Sequence, residues 1–441
     1  RPAAPPVAVP QDTFVPGGGR LVQTAHRPQA SQVRPMEVTE AAAAAAPAMP
    51  VFQLSDRAKS VVAIDLGNTR SSVAAVVNGR VSVLKLPGGE WDMPSVVAFR
   101  KNGSVMLGKA ARKMLASDPE NAIGSPKRLL GRRFDEPGLR PYLAQLGMPS
   151  LPGPQQEVML QARGRTFSVT EASAHILSLL RIIAEKNLNR PVHEAILTVP
   201  VTFNNRQIQA LTKAAQQAEL TILAMLPEPV AAALACVSDA ACTGKIAVYD
   251  FGGGTFDFSI VEVGAEQIRV IATSGDGWLG GDDFDQVLAG AAANDFWQKT
   301  KIELRNQRHH WQRLLIRAEM AKRMLSTEEE TTLRLPGAAL TEAGELDLVF
   351  PVDREQFATL SQEIIDRSLA TCQEALTSQG LTPADLNAIY LSGGTTYIPA
   401  VREAVATFFG QEPRVVVAPQ RLVVTGAAIH GALVAQKLTQ S

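Results

Sequence analysis

Val248-Tyr249-Asp250-Phe251-Gly252-Gly253-Gly254-Thr255-Phe256-Asp257 is the stretch on which the reading of this chain turns. An apolar run, Ile246 to Tyr249, ends in an aspartate and three glycines. Phe256 to Val263 alternates apolar and polar residues, a turn containing Gly264 follows, and Ile268 to Ala272 supplies a third run. Period-two alternation between glycine turns predicts a three-stranded meander. Its first turn carries the chemistry. Three glycines let backbone N–H groups approach a phosphate chain with no side chain in the way. Thr255 adds a hydroxyl donor, and Asp250 and Asp257 offer carboxylates for a hydrated Mg2+ and for an attacking water. A plain glycine hairpin with solvated acids would contain the same residues, so the reading needs support from elsewhere in the chain.

That support comes from a second copy. Val61 to Ile64 is an apolar run ending in Asp65-Leu66-Gly67-Asn68-Thr69, and further runs follow at Ser72 to Val77 and Val81 to Leu86. Asn78-Gly79 between those runs is a strong hairpin signal, because both turn residues must take positive φ. Asp65 and Asp250 stand 185 residues apart, an interval that indicates a duplicated lobe rather than a solenoid repeat. Each copy continues with strands and helices. Glu194 to Val199 reads as a strand before a helix from about Gln207 to Ala218. Leu386 to Leu391 reads as a strand before Ser392-Gly393-Gly394-Thr395 and a helix from about Pro399 to Phe409. Strands alternating with helices indicate α/β lobes. The expected organisation is a lobe over about 57–242 with an insert at about 96–168, then a lobe over about 243–436 with an insert at about 285–365. Paired loops on two lobes would face each other across a cleft and grip a triphosphate from both sides.

The flanks differ. Residues 1–56 are rich in Pro, Ala and Gln, with Gly17-Gly18-Gly19 and the run Ala41 to Ala46. They read as a disordered linker or tether, with one short helix at the alanines and another domain expected before it. Residues 437–441 read as a tail. The first residue is Arg, so the expectation is a processed or excised piece, or a chain that lacks its start.

Bulk numbers exclude several classes. Lys+Arg and Asp+Glu are both 43, so charge gives no case for nucleic acid or an anionic membrane as the main partner. No stretch approaches the roughly 20 apolar residues that span a bilayer, so direct membrane insertion is not expected. Three cysteines, Cys236, Cys242 and Cys372, cannot make a disulfide framework and suit a reducing compartment. The localisation expected is cytoplasmic. Gly244-Lys245 lacks the upstream glycine of a Walker A loop, and no His-Glu-x-x-His or Gly-x-Ser-x-Gly occurs. His309-His310 beside Trp311 reads as a solvated helix face rather than a metal site.

At these residues the chain resembles the nucleotide-binding domain of the heat shock protein 70 (DnaK-type) chaperones, within the actin and sugar-kinase superfamily. The resemblance covers about residues 60–436. It rests on Ile64-Asp65-Leu66-Gly67, Lys127-Arg128-Leu129-Leu130-Gly131-Arg132, Thr198-Val199-Pro200, Glu228-Pro229, Val248 to Asp257, Leu279-Gly280-Gly281-Asp282-Asp283-Phe284-Asp285 and Ser392-Gly393-Gly394-Thr395. It implies a two-lobed actin-like ATPase (ribonuclease H-like) fold, with duplicated mixed-sheet lobes and two smaller inserted subdomains. ATP or ADP with Mg2+ would be the cofactor.

The resemblance also implies roles. Lys127 is similar to the catalytic lysine that reaches the γ-phosphate and the nucleophilic water. Glu228 and Asp257 resemble carboxylates that order that water, and Thr255 the hydroxyl near the γ-phosphate. Asp65 and Asp250 resemble Mg2+ ligands acting through water. Gly67, Asn68, Thr69, Gly252, Gly253, Gly254 and Gly281 would contact the phosphates. Glu319, Lys322, Arg323 and Ser326 share one face of a predicted helix by their spacing. Arg323 would stack on adenine while Glu319 and Lys322 hold the ribose, and Gly393, Gly394 and Ile398 would close the other side of the base.

The departures from the family pattern are specific. Asn68 replaces a Thr, Tyr397 stands where an Arg is usual beside the adenine, and Ile208 replaces an Arg. Ala224, Met225 and Pro227 replace Arg, Ile and Asn on the surface that receives J-domain partners. Gln420-Arg421 replaces an acidic pair. Up to Ser441 neither a leucine-rich interdomain linker nor a β-rich peptide-binding domain is recognised, so any client-binding part is expected in a longer chain or on a partner. The expectation is therefore an ATP-binding and slowly ATP-hydrolysing domain in a chaperone or protein-assembly role, with nucleotide state controlling lobe closure. A protein client or partner is expected, with a possible nucleotide-exchange factor and a J-domain partner doubtful. The competing expectation is a nucleotide-dependent regulatory or scaffold module without peptide-chaperone activity.

Overall fold

The computed structural model describes residues 58–264, 267–342 and 344–440, so the expected linker and its alanine helix lie outside the described residues. Two sheets organise the rest. In the first, Thr221–Pro227, Glu194–Val199, Val61–Asp65, Arg70–Val77 and Arg80–Val83 lie side by side, and Met93–Pro94 pairs with the start of Arg70–Val77. In the second, the order is Ile268–Asp276, Phe256–Val263, Gly244–Phe251 and Ala388–Ser392.

The two sheets repeat one plan. Val61–Asp65 is antiparallel to Arg70–Val77 and parallel to Glu194–Val199. Gly244–Phe251 is likewise antiparallel to Phe256–Val263 and parallel to Ala388–Ser392. The first sheet has a further parallel strand at Thr221–Pro227, which the second reduces to a single bridge between Tyr390 and Arg414. Asn78 and Gly79 take φ of 51° and 76°, as a tight hairpin of this hand requires.

Apolar spacing dictates how the helices cover the sheets. Helix Val169–Leu188 turns Ile176, Leu177, Leu180, Ile183 and Ala184 into the core under the first sheet. Asn205–Gln217 adds Leu211, Ala214 and Ala215, and starts at an Asn204–Gln207 capping box. On the second sheet Arg354–Ser378 and Pro399–Phe409 play these parts. Between the sheets runs a third core. Ala63, Ala74 and Ile196 of one sheet meet Ile246, Val248 and Val261 of the other through Ala231, Ala232, Ala235, Ala427 and Ala428. Those alanines come from helices Glu228–Cys236 and Leu422–Gln440.

Smaller units complete the molecule. Helix Gly108–Ser117 lies on a three-stranded sheet built from Val96–Phe99, Val105–Leu107 and Ala122–Gly124. Helices Gly281–Thr300 and Arg308–Leu325 pack with the hairpin Glu330–Thr341/Gly344–Asp353. The insert boundary expected at 365 falls inside helix Arg354–Ser378. Among the described residues no helix is long and apolar enough to cross a membrane.

Candidate active site

The two glycine turns sit at equivalent ends of equivalent strands, so the fold brings them together. A Cβ placed on Gly253 would overlap the hydroxyl of Thr69, which shows the loops in direct apposition. Gly393 takes φ of +82°, and a Cβ there would collide with the Phe251 carbonyl, so the third glycine turn also closes onto this point. Thr395 Oγ1 fixes that approach by donating to Gly252 O at 2.7 Å. The loops wall a cavity of about 620 Å³.

Charged groups gather on one part of its wall. Lys127 is only 5% exposed, and its Nζ lies 3.0 Å from Glu228 Oε1. Asp65, Asp250 and Asp257 line the cavity with them. Asp250 and Asp257 are direct cross-strand partners, a like-charge pair that a sheet does not choose for stability. Thr198 Oγ1 donates to Asp65 Oδ1 at 2.8 Å, which fixes that carboxylate from the neighbouring parallel strand.

The electrostatics follow from crowding four carboxylates around one ammonium. Burial pushes Asp257 up to about 7, with Glu228 adding to the effect and Lys127 opposing it. Burial pushes Asp65 up to about 6; Glu228 adds to this, while Lys127 and the Thr198 hydrogen bond hold it down. Asp250 is driven well above the carboxylate range by burial and then by Glu228, Asp257 and Asp65. Burial alone would lower the Lys127 ammonium, but Glu228 and Asp65 more than reverse that and hold it above its ordinary value. Excess negative charge of this kind calls for a cation.

The residues fit a Mg2+-nucleotide on the chemistry of the donor set. Asn68 Oδ1 and Thr69 Oγ1 are buried at the loop without a hydrogen-bond partner. Buried polar atoms are seldom left so, and a phosphate chain with its hydrated cation would satisfy them. Among the described residues no group of three or more His, Cys, Asp or Glu side chains is arranged to hold a metal ion by itself. Asp65 and Asp250, as hard carboxylate oxygens lining the same cavity as the unpartnered Asn68 and Thr69 atoms, would suit an ion that keeps several waters and takes further oxygens from phosphate, as Mg2+ prefers.

The remaining sequence-derived residues line the same cavity: Gly67, Gly252, Thr255, Gly281, Glu319, Lys322, Arg323, Ser326, Gly393, Gly394 and Ile398. Gly254 is the exception. It stands behind the loop, where the Arg128 guanidinium donates to its carbonyl. Glu319, Lys322 and Arg323 share helix Arg308–Leu325, with Ser326 as its C-cap. All four already have partners: Arg323 Nη1 lies 3.9 Å from Glu319 Oε1, and Ser326 Oγ donates to Lys322 O at 3.4 Å. Glu319 is ion-paired with Arg112 from helix Gly108–Ser117, and Lys322 Nζ lies 2.8 Å from Asp285 Oδ1 and donates to Gly281 O at 2.7 Å.

Sequence reasoning missed Arg70, Trp91, Asp92, Arg112, Thr198 and Asp285 as parts of the site or its supports. Thr198 and Asp285 sat inside motifs already noted. Arg70, Trp91, Asp92 and Arg112 carry no local signal, since each reaches the site only through tertiary folding.

A family model described as Hsp70 protein matches residues 61–440, and the chain belongs to that family. Its members carry a nucleotide-binding domain of chaperone type, are ATPases and generally bind ATP or ADP with Mg2+.

Proposed function

We propose that, as an Hsp70-family domain, this chain binds ATP and ADP with Mg2+ in the 620 Å³ cavity and hydrolyses ATP there slowly, in a chaperone or protein-assembly role. The observation that carries the reading is the buried Lys127–Glu228 pair in a cavity walled by two apposed glycine turns. In-line attack by water on a γ-phosphate needs positioning and charge neutralisation more than covalent chemistry. Bound Mg2+ would supply part of that neutralisation. Lys127 donates toward the transferring phosphoryl group and the water. Glu228 and Asp257 accept hydrogen bonds from that water, while Thr255 and the turn amides orient the phosphates. Asp65 and Asp250 would hold the hydrated ion.

Lys127→Ala tests this. Mg-ADP affinity by calorimetry is expected to stay within an order of magnitude, while single-turnover hydrolysis falls by about 10²–10³, roughly 3–4 kcal/mol of transition-state stabilisation. Unchanged single-turnover hydrolysis would remove Lys127 from the mechanism. Because the two turns belong to different sheets, nucleotide state is expected to bias how closely the halves approach. A protein client or partner and an exchange factor complete the proposal.

A second reading is favoured by the outer strand Thr221–Pro227, where Ala224 and Met225 are part of the half-buried surface rather than cationic or polar contacts. On that reading the domain is a regulatory or scaffold module that handles no unfolded peptide. Suppression of a denatured client's aggregation, with and without ATP, separates the two.

A further inference from the structure

Beside the carboxylates, the same cavity is lined by Arg323, Trp91, Tyr397, Ile398, Gln420 and Arg421. Flat aromatic and guanidinium groups suit the faces of a base, and the amide and guanidinium hydrogens suit its edge. Tyr397 Oη donates to Gln420 Oε1 at 2.7 Å. Arg402, which is not part of the cavity wall, backs the Tyr397 ring at 5.5 Å. Gln420 is thereby anchored at its amide oxygen, and its NH2 adds two donors to the cavity wall. The Arg421 guanidinium lies 4.5 Å over the Trp91 ring, and its Nε is buried without a hydrogen-bond partner. The nearby Asp92 carboxylate is taken at Oδ1 by Arg70 Nε at 2.7 Å.

The edge of the base would therefore meet donors. Adenine presents an amino donor at position 6 beside its N7 acceptor. A 6-oxopurine presents two acceptors, O6 and N7, which is the pattern a guanidinium reads with two hydrogen bonds. Setting an amino group against Arg421 and Gln420 leaves donors facing donors, and buried hydrogen-bonding groups left unmade are costly.

We propose that Arg421 and Gln420 are specificity-determining residues, and that the cavity takes inosine or guanosine phosphates at least as tightly as adenosine phosphates. This rests on the nucleotide reading above and changes only the base.

The test is calorimetric titration of the full chain in Mg2+ with ADP, IDP and GDP. The expected result is a Kd for IDP equal to or below that for ADP. Arg421→Glu should then raise the IDP:ADP ratio of Kd values by about tenfold to a hundredfold, and Arg421→Gln by less. ADP binding with IDP and GDP each measurably weaker than ADP would overturn the inference and leave the nucleotide reading intact. No binding of any nucleotide would overturn both. The wild-type ratio decides the matter even where a variant fails to fold.

Discussion

At the scale of single residues, Gly253 and Asp285 make the sharpest predictions. Gly253 stands where any Cβ would strike the Thr69 hydroxyl, so Gly253→Ala must push the two turns apart. The expected outcome is a loss of Mg-ADP affinity of about tenfold or more, with thermal stability little changed, since the displaced groups line a cavity rather than fill a core. Affinity unchanged by calorimetry would mean the turns do not grip the ligand together. Asp285 tests the electrostatics. Burial pushes its carboxyl up to about 7, against the pull of Lys322. Between its ordinary value of 3.8 and about 7 the folded state binds more protons than the unfolded chain. Stability of the nucleotide-free protein should therefore fall as pH rises through that window. Asp285→Asn should flatten the slope in urea titrations between about pH 4 and 7. Residues of this kind differ in legibility. Lys127, Glu228 and the glycines could be read from motifs. Arg112 and Asp92 could not, because nothing near them in sequence indicates that they meet Glu319 and Arg70 across the fold.

At the scale of elements, hairpins and amphipathic helices were legible and the buried helices were not. Glu194–Val199 and Pro399–Phe409 fall where the apolar pattern placed them: the strand is a short apolar run buried almost throughout, and the helix turns Val401, Val405 and Phe409 inward at helical spacing. Strand Ile268–Asp276 outruns its apolar run by four residues, since pairing with Phe256–Val263 continues to the glycine turn whatever the side chains. Helices Glu228–Cys236 and Leu422–Gln440 lie between the sheets. With apolar residues on most faces they show little helical period, and so they left no signal in the sequence. Their close approach is what Gly426 serves, for a Cβ there would run into the Ala231 backbone. Gly426→Ala is expected to destabilise the protein by about 1–3 kcal/mol in urea unfolding, the usual cost of overpacking a tight core. A neutral result would mean the two helices can separate without strain.

At the scale of the whole molecule, the question is how occupancy of the cavity reaches the two sheets. The core between them is mostly alanine, valine and isoleucine, with Tyr390, Leu226 and Leu422 among its few larger side chains, and small residues allow sliding better than interlocked aromatics would. The contacts across the rim are polar or aromatic and few. Arg112 pairs with Glu319, and Arg128 donates to the Gly254 carbonyl. Trp278, carried by the turn after Ile268–Asp276, sits 5.4 Å from the Tyr142 ring and 5.0 Å from the Arg132 guanidinium on the other side. A ligand shifts such an arrangement only by binding its alternatives unequally. On the proposed reading, ATP with Mg2+ would touch both glycine turns and should favour the approached state over ADP or no nucleotide. The chain has 4 tryptophans, and replacing Trp91, Trp297 and Trp311 with Phe leaves Trp278 as a reporter at the rim. Its emission should shift on adding Mg-ATP and relax as hydrolysis proceeds, because parting the stack admits water to the indole. Identical emission in all three states, in a protein that calorimetry shows to be loaded, would rule out movement at this contact.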